Sequence, residues 1–218
     1  MFDGNSTKTL STKGRLMNFD IFLSVSGLTE KGDTAFRLVK EESELARILT
    51  THLLLERLLE GWICAHTGVD DLFKKPEKGS KLDRFSMTFS SKLAFCQRLG
   101  LPLEASKPIS TINDFRNGFA HSIDYPGPDV NQVNSLMKNV DSFNPGKKAP
   151  SLFEDHYGVI ICEGDYTASH LLCDEKTSAG LKVMLITFSL ITRIISYIAI
   201  NKKVSGGKKP QDYSIRYY

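Results

Sequence analysis

Paired cysteines, glycine-rich phosphate loops and internal repeats are all missing from this chain. Its four cysteines, Cys64, Cys96, Cys162 and Cys173, are scattered. That excludes a disulfide framework and reads as free thiols in a reducing, cytoplasmic compartment. No C-x-x-C hook occurs, so His156, Cys162, His170 and Cys173 have the residue types for zinc without the spacing of a structural site. No metal and no other cofactor is expected. G-x-x-x-x-G-K-[ST], G-x-G-x-x-G and G-x-S-x-G are absent, which removes the motifs of P-loop, dinucleotide-binding and α/β-hydrolase proteins. The opening "MFDGNSTKTLSTKGR" has no apolar run, so no secretory signal is expected. Charge of one sign is also in short supply. The net +3 does not by itself point to nucleic acid.

What is present suits one domain with an elaboration. The chain has 218 residues, of which 41% are hydrophobic and 24% charged, ordinary values for a globular core. The basic charge is clustered. "KKPEKGSKLDR", Lys74 to Arg84, holds five basic and two acidic residues, and "NKKVSGGKKPQDYSIRYY", from Asn201, holds five and one. Taken alone, each reads as a solvated stretch; together they could meet a phosphate backbone. Lys208, Lys209 and Arg216 are the tail cations that could meet such a nucleic-acid backbone, with Tyr213, Tyr217 and Tyr218 available for stacking. "LKVMLITFSLITRIISYIAI", Leu181 to Ile200, has the length of a membrane span. Lys182 and the interior Arg193 would be costly in lipid, so a buried core helix and no membrane are expected.

The pattern predicts a mostly all-α domain. Residues 1–32 read as a polar arm around "FDIFLSV", which periodicity leaves open between strand and helical turn. A long helix is expected from about Thr34 to His66, with Leu45, Leu49, His52, Glu56, Leu59 and Ile63 on one face and Gly68 ending it. A second is expected over Ser86 to Leu99. A third starts near Ser106, with Pro108 just inside, and runs to His121 with Ile109, Ile112, Phe115 and Phe119 facing the core. "DVNQVNSLMKNV" is a further helix, "YGVIICEG" a short strand, and Thr177 to Asn201 the last helix. The domain spans residues 33–201, with a less regular insert at about 141–175. Residues 202–218 form a basic tail.

Two constellations stand out. Glu56 lies on the apolar face of the first long helix. A carboxylate there needs a partner to stay charged, unless the face is wide and Glu56 reaches its edge. The candidate cations are Lys92 and Arg116, and loss of a buried pair predicts a cost of about 3–5 kcal/mol for Glu56→Ala. The second is "DFRNGFAHS", Asp114 to Ser122, which packs Arg116, Asn117 and His121 around a helix-weakening Gly118. Asn117 and His121 share a face at i, i+4. Arg116 and His121 stand about 140° apart on an ideal helix. A symmetric partner or a bend would be needed to join them. Arg can hold a phosphate through two hydrogen bonds and His can move a proton near neutral pH. In RNA the 2′-hydroxyl could then attack the adjacent phosphate without a metal. The plain alternative is ordinary capping near a helix C-terminus, which both residue types favour.

"FRNGFAH" resembles the R-N-x-x-x-H form of the motif of HEPN domains (higher eukaryotes and prokaryotes nucleotide-binding). The order "LARILTTHLLLERLL", "TFSSKLAFCQRLGL", "ISTINDFRNGFAH" is similar to HEPN-like proteins related to the mannitol operon repressor group. Leu55-Glu56, then Phe89, Lys92 and Leu99-Gly100, then the Arg-Asn…His motif carry the resemblance over about Glu41 to Ser122. It implies a HEPN-like helical bundle and a metal-independent endoribonuclease of toxin or phage-defence type, dimeric so that two motifs form one site. It further implies that Arg116 and His121 are catalytic, Asn117 supports them, and Glu56 and Lys92 stand behind them. Partners implied are RNA, a second copy, and an antitoxin or other regulatory protein. In one subgroup a tyrosine follows two residues after the histidine; here Ile123 stands there, so the nucleotidyltransferase partnership of that subgroup is not carried over. The repressor relatives imply the alternative, a non-catalytic helical module that regulates a protein or RNA partner.

Overall fold

A computed structural model describes residues 16–28, 41, 43–75, 85–147, 149–163, 166–207 and 209. In order, the elements are β1 (Met17–Asn18), α1 (Phe19–Ser26), α2 (Glu44–Thr67), α3 (Phe89–Arg98), α4 (Leu103–His121), α5 (Val130–Ser142), β2 (Gly158–Glu163), β3 (Tyr166–Leu171), α6 (Ala179–Asn201) and β4 (Val204–Ser205). The fold is all-α in the main.

α2 is the axis of the bundle and packs against α1, α3, α4 and α6. It starts at Glu44 and not near Thr34, because Ser43 caps it there by accepting the Ala46 N–H; Gly68 closes it as expected, at φ 77°, donating to Cys64 O. The buried stripe is Ile48, Thr51, Leu55, Leu58, Leu59, Trp62 and Ile63. The expected face was correct in the C-terminal half but out of phase at the start, where Leu45 and Leu49 are exposed. A set spaced strictly by sevens drifts around a 3.6-residue helix, so it leaves the core face within a few turns.

The apolar run near the N-terminus is a helix, α1. Asn18 caps it, and Phe19, Phe22 and Leu23 bury one face at helical spacing. Within the stretch expected as a polar arm, Met17 to Leu28 therefore belongs to the core. α1 crosses α2 closely at Gly61, where a Cβ would come 2.9 Å from Phe22 O. β1 pairs in parallel with β4, so the chain after α6 returns beside the start of α1.

The other helices begin and end close to expectation. α3 starts at Phe89 with Thr88 as cap. α4 begins at Leu103, a turn before the expected Ser106, and carries Pro108 in its interior. Ser106 is not the cap; its hydroxyl donates back to Pro102 O. α5 has a capping box in which Asp129 and Gln132 each accept the other's backbone N–H. In the insert, β2 has a partner, β3, in an antiparallel hairpin with Gly158 opposite Leu171.

α6 is long and apolar enough to cross a membrane by composition, yet 72% of its most apolar window is buried inside the protein. Arg193 explains the charge in its middle. Its side chain is fully buried, and it donates to Asp141 Oδ1 (2.9 Å), Pro150 O (2.8 Å), Phe143 O (3.2 Å) and Ser189 Oγ (3.2 Å). The guanidinium thus gathers the free carbonyls at the end of α5 and the loop beyond it. At the other end of α6, Glu44 of α2 accepts the Gly180 N–H, and Arg47 donates to Ser178 Oγ at 2.9 Å.

Candidate functional site

The polar residues meet along the seam of α2, α3 and α4. Glu56 does form the expected ion pair, and Lys92 is the cation. Lys92 is buried, and its Nζ lies 2.7 Å from Glu56 Oε1 and 2.5 Å from Glu60 Oε1. Burial alone would lower its pKa, but the hydrogen bonds it donates to both carboxylates outweigh it and hold the ammonium above its usual range. The Lys92 ammonium also sits 5.0 Å from the Phe73 ring centroid. Glu60 escaped the sequence reading. Its signal was the i, i+4 spacing from Glu56, which places both carboxylates on one face of α2.

One turn before Glu56, His52 is buried. Its Nε2 meets Asn113 Oδ1 of α4 at 3.1 Å, and its ring stacks on Phe89 of α3 at 4.4 Å between centroids. Burial lowers its pKa; the Asn113 hydrogen bond and the Glu56 charge oppose this, while Arg116 and Lys92 add to it. Arg116 is therefore near enough for its charge to be felt at His52. The sequence reading placed His52 on the helix face but gave it no partner, and it did not single out Asn113. Asn113 stands at i−3 and i−4 from Arg116 and Asn117, a spacing that would have flagged it.

On α4 the half-buried Arg116 donates through Nη1 to Asn117 Oδ1 at 3.2 Å. His121 is the last residue of the helix and is exposed. A single chain does not aim both at one point, as the i, i+5 spacing requires. Gly118 has a packing cause. Tyr125 folds back over the helix and packs edge-on to Phe119 at 4.8 Å, and a Cβ at residue 118 would stand 2.8 Å from its ring. The glycine makes room for the segment that follows the motif.

The direction of α4 matters. Lys202 Nζ donates to Leu99 O, just before α4, and lies over the Trp62 ring in the C-terminal half of α2. His52, ten residues earlier in α2, meets Asn113. So α4 runs antiparallel to α2, and its motif end lies beside the N-terminal half of α2.

A cleft of about 500 Å³ opens on the other side of the ion pair. Leu53, Phe73, Phe85 and Met87 line it together with Glu56, Glu60 and Lys92, whereas Arg116 and His121 do not. Lys209 is exposed beyond β4; Lys208 and Arg216 lie outside the described residues. Among the described residues no three His, Cys, Asp or Glu side chains gather closely enough to hold a metal ion. His156 instead meets Glu154 at 3.1 Å, and Cys173 donates to Asp155 O. Cys64 and Cys96 are buried free thiols, and burial pushes Cys64 up to about 11. Among known proteins, no family model, no curated protein and no solved structure matches this chain.

Proposed function

We propose that this protein is a metal-independent endoribonuclease of the HEPN type, acting as a homodimer in a cytoplasmic toxin or phage-defence setting. The observation that carries this reading is the end of α4. Arg116 and Asn117 are hydrogen-bonded to each other, and His121 stands exposed one turn on. Behind them, His52, Asn113 and the Lys92–Glu56 pair brace the three helices. In the reaction, the RNA 2′-oxygen bonds to phosphorus and the 5′-oxygen leaves. Arg116 neutralises charge on the phosphate oxygens, and His121 transfers the proton. The products carry 2′,3′-cyclic phosphate and 5′-hydroxyl ends.

The test is cleavage of total RNA in EDTA. Wild type should produce cyclic-phosphate ends. His121→Ala should lower the rate by about 10²–10⁴-fold, and Arg116→Ala should also impair it, with folding intact in both. Activity unchanged in both variants would end this reading. One observation favours the alternative of a non-catalytic module that regulates a protein or RNA partner: no hydrogen-bond partner among the described residues orients His121. A folded protein that binds RNA or a protein without cutting RNA would support that alternative.

A further inference from the structure

We propose that the cleft beside the Lys92 ion pair is a binding site for a small organic cation, an ammonium or guanidinium carried on an apolar body. The site is independent of the ribonuclease reading, since neither Arg116 nor His121 lines it.

The first argument is charge. Glu56 and Glu60, one turn apart on α2, hold Lys92 through their Oε1 atoms. Among the described residues neither Oε2 has a hydrogen-bond or ion-pair partner. Lys92 cancels the charge of one carboxylate, so the wall carries one negative charge in excess. Arg57 also lines the cleft. Its guanidinium, however, reaches toward the end of α1, with Nη1 3.4 Å from where a Cβ on Gly27 would stand, and it pairs with neither carboxylate. Glu56 and Glu60 keep 28% and 22% of their side-chain exposure, so their second oxygens are accessible from the cleft. A surplus charge in a recess with apolar walls attracts a cation and repels phosphate.

The second argument is the apolar wall. Phe73 and Phe85 meet at 5.5 Å between centroids and 52° between planes, forming a corner of two rings. Phe73 already carries a cation, the Lys92 ammonium at 5.0 Å. Phe85 has no cation over it among the described residues, and 47% of its surface is exposed. Leu53, on the α2 side of the same cleft, is 56% exposed. The fold thus holds one cation with two carboxylates and one ring, and beside it leaves two carboxylate oxygens and a second ring open. That pairing of acid and aromatic face suits an alkylated ammonium or guanidinium.

Size and donor set then decide what kind of cation fits. The cleft holds about 500 Å³, within the range of about 300–1,000 Å³ usual for small-molecule sites. A hard metal ion needs six or more oxygens, and two carboxylate oxygens beside an ammonium do not supply them. An organic ligand places its charge at Glu56 and Glu60 and its body against Phe85, Met87 and Leu53.

Three probes of similar shape test the site: phenethylammonium, neutral 2-phenylethanol and anionic 3-phenylpropionate. Calorimetry gives their affinities, and the Met87 methyl resonance reports where they bind. Phenethylammonium should saturate one site and shift that resonance, with the alcohol weaker and the carboxylate weakest. Glu60→Gln keeps an oxygen for Lys92 and removes the surplus charge. It should weaken phenethylammonium by about 10–100-fold and leave 2-phenylethanol unchanged. Phe85→Ala should weaken both. No saturable binding to wild type, a 3-phenylpropionate affinity equal to that of phenethylammonium, or a folded Glu60→Gln that binds phenethylammonium as wild type does overturns the proposal. Binding that leaves the Met87 resonance unmoved does so too. Should Glu60→Gln not fold, the ranking of the three probes on wild type decides alone.

Discussion

Replacing Glu56 with alanine removes one of the two carboxylates that hold Lys92. Viewed as a lone buried pair, that loss would cost about 3–5 kcal/mol. The structure lowers the figure. Glu60 stays 2.5 Å from the ammonium, so the buried charge keeps a partner. Glu56 itself retains 28% of its side-chain exposure, so little desolvation is recovered when it goes. What is lost is one hydrogen bond to a charged group, about 1.5–3 kcal/mol. Glu60→Ala should cost about the same by the same argument. Glu56→Ala/Glu60→Ala strands Lys92 in the interior without a carboxylate, and there the full 3–5 kcal/mol or more applies. Urea unfolding of all four chains, with m checked for constancy, gives the cycle. The pair term has a defined pH window. Lys92 has a raised pKa when folded, so its contribution is fully present below the unfolded value of 10.5 and is lost as pH rises through the folded value. The variants should therefore differ from wild type equally at neutral and mildly alkaline pH. A single variant as costly as the double, or a double costing under about 1 kcal/mol, would refute the shared-cation account.

Arg193→Met should destabilise by about 3–5 kcal/mol, because the Phe143 and Pro150 carbonyls lose this donor and Asp141 its ion pair, keeping only Ser151 and Leu152; Arg193→Lys should not restore it, since one ammonium cannot span that cage, and thermal unfolding reads both. His52 has a pKa lowered chiefly by burial. As pH falls below 6.5, the unfolded chain binds a proton that the folded one resists, so stability drops. His52→Gln should flatten that drop between roughly pH 7.5 and 5.5 in urea titrations; an unchanged slope would show that His52 is not its source. Gly118→Ala places a methyl against the Tyr125 ring and should cost about 1–3 kcal/mol, less up to about 1 from better helix propensity. In Gly118→Ala/Tyr125→Ala the penalty of the methyl should vanish, and additive costs would show that the ring is not what the glycine admits.

Much of this organisation is written in local sequence. Gly68 placed the end of α2, and the starts of α3, α4 and α6 came within about three residues, but the cap expected at Ser106 was not one and α2 starts ten residues after Thr34. Arg193 marked α6 as a helix of the protein interior, and Glu56 announced a buried pair. Those features depend on backbone geometry over one or two turns, which neighbouring residues control. Only the tertiary structure decided that Lys92 rather than Arg116 would meet Glu56, that Glu60 would share it, and that His52 would reach Asn113, 61 residues away. It also decided that Met17 to Leu28 would join the core and that Gly118 would face Tyr125. Such partners depend on how helices cross, and the crossing is set by how whole faces interlock. α2 shows the division within one element. Its sequence placed its end at Gly68 but not its start, expected near Thr34 and found at Glu44; only the packing of α3 decided that Glu56 and Glu60 on one face would share Lys92.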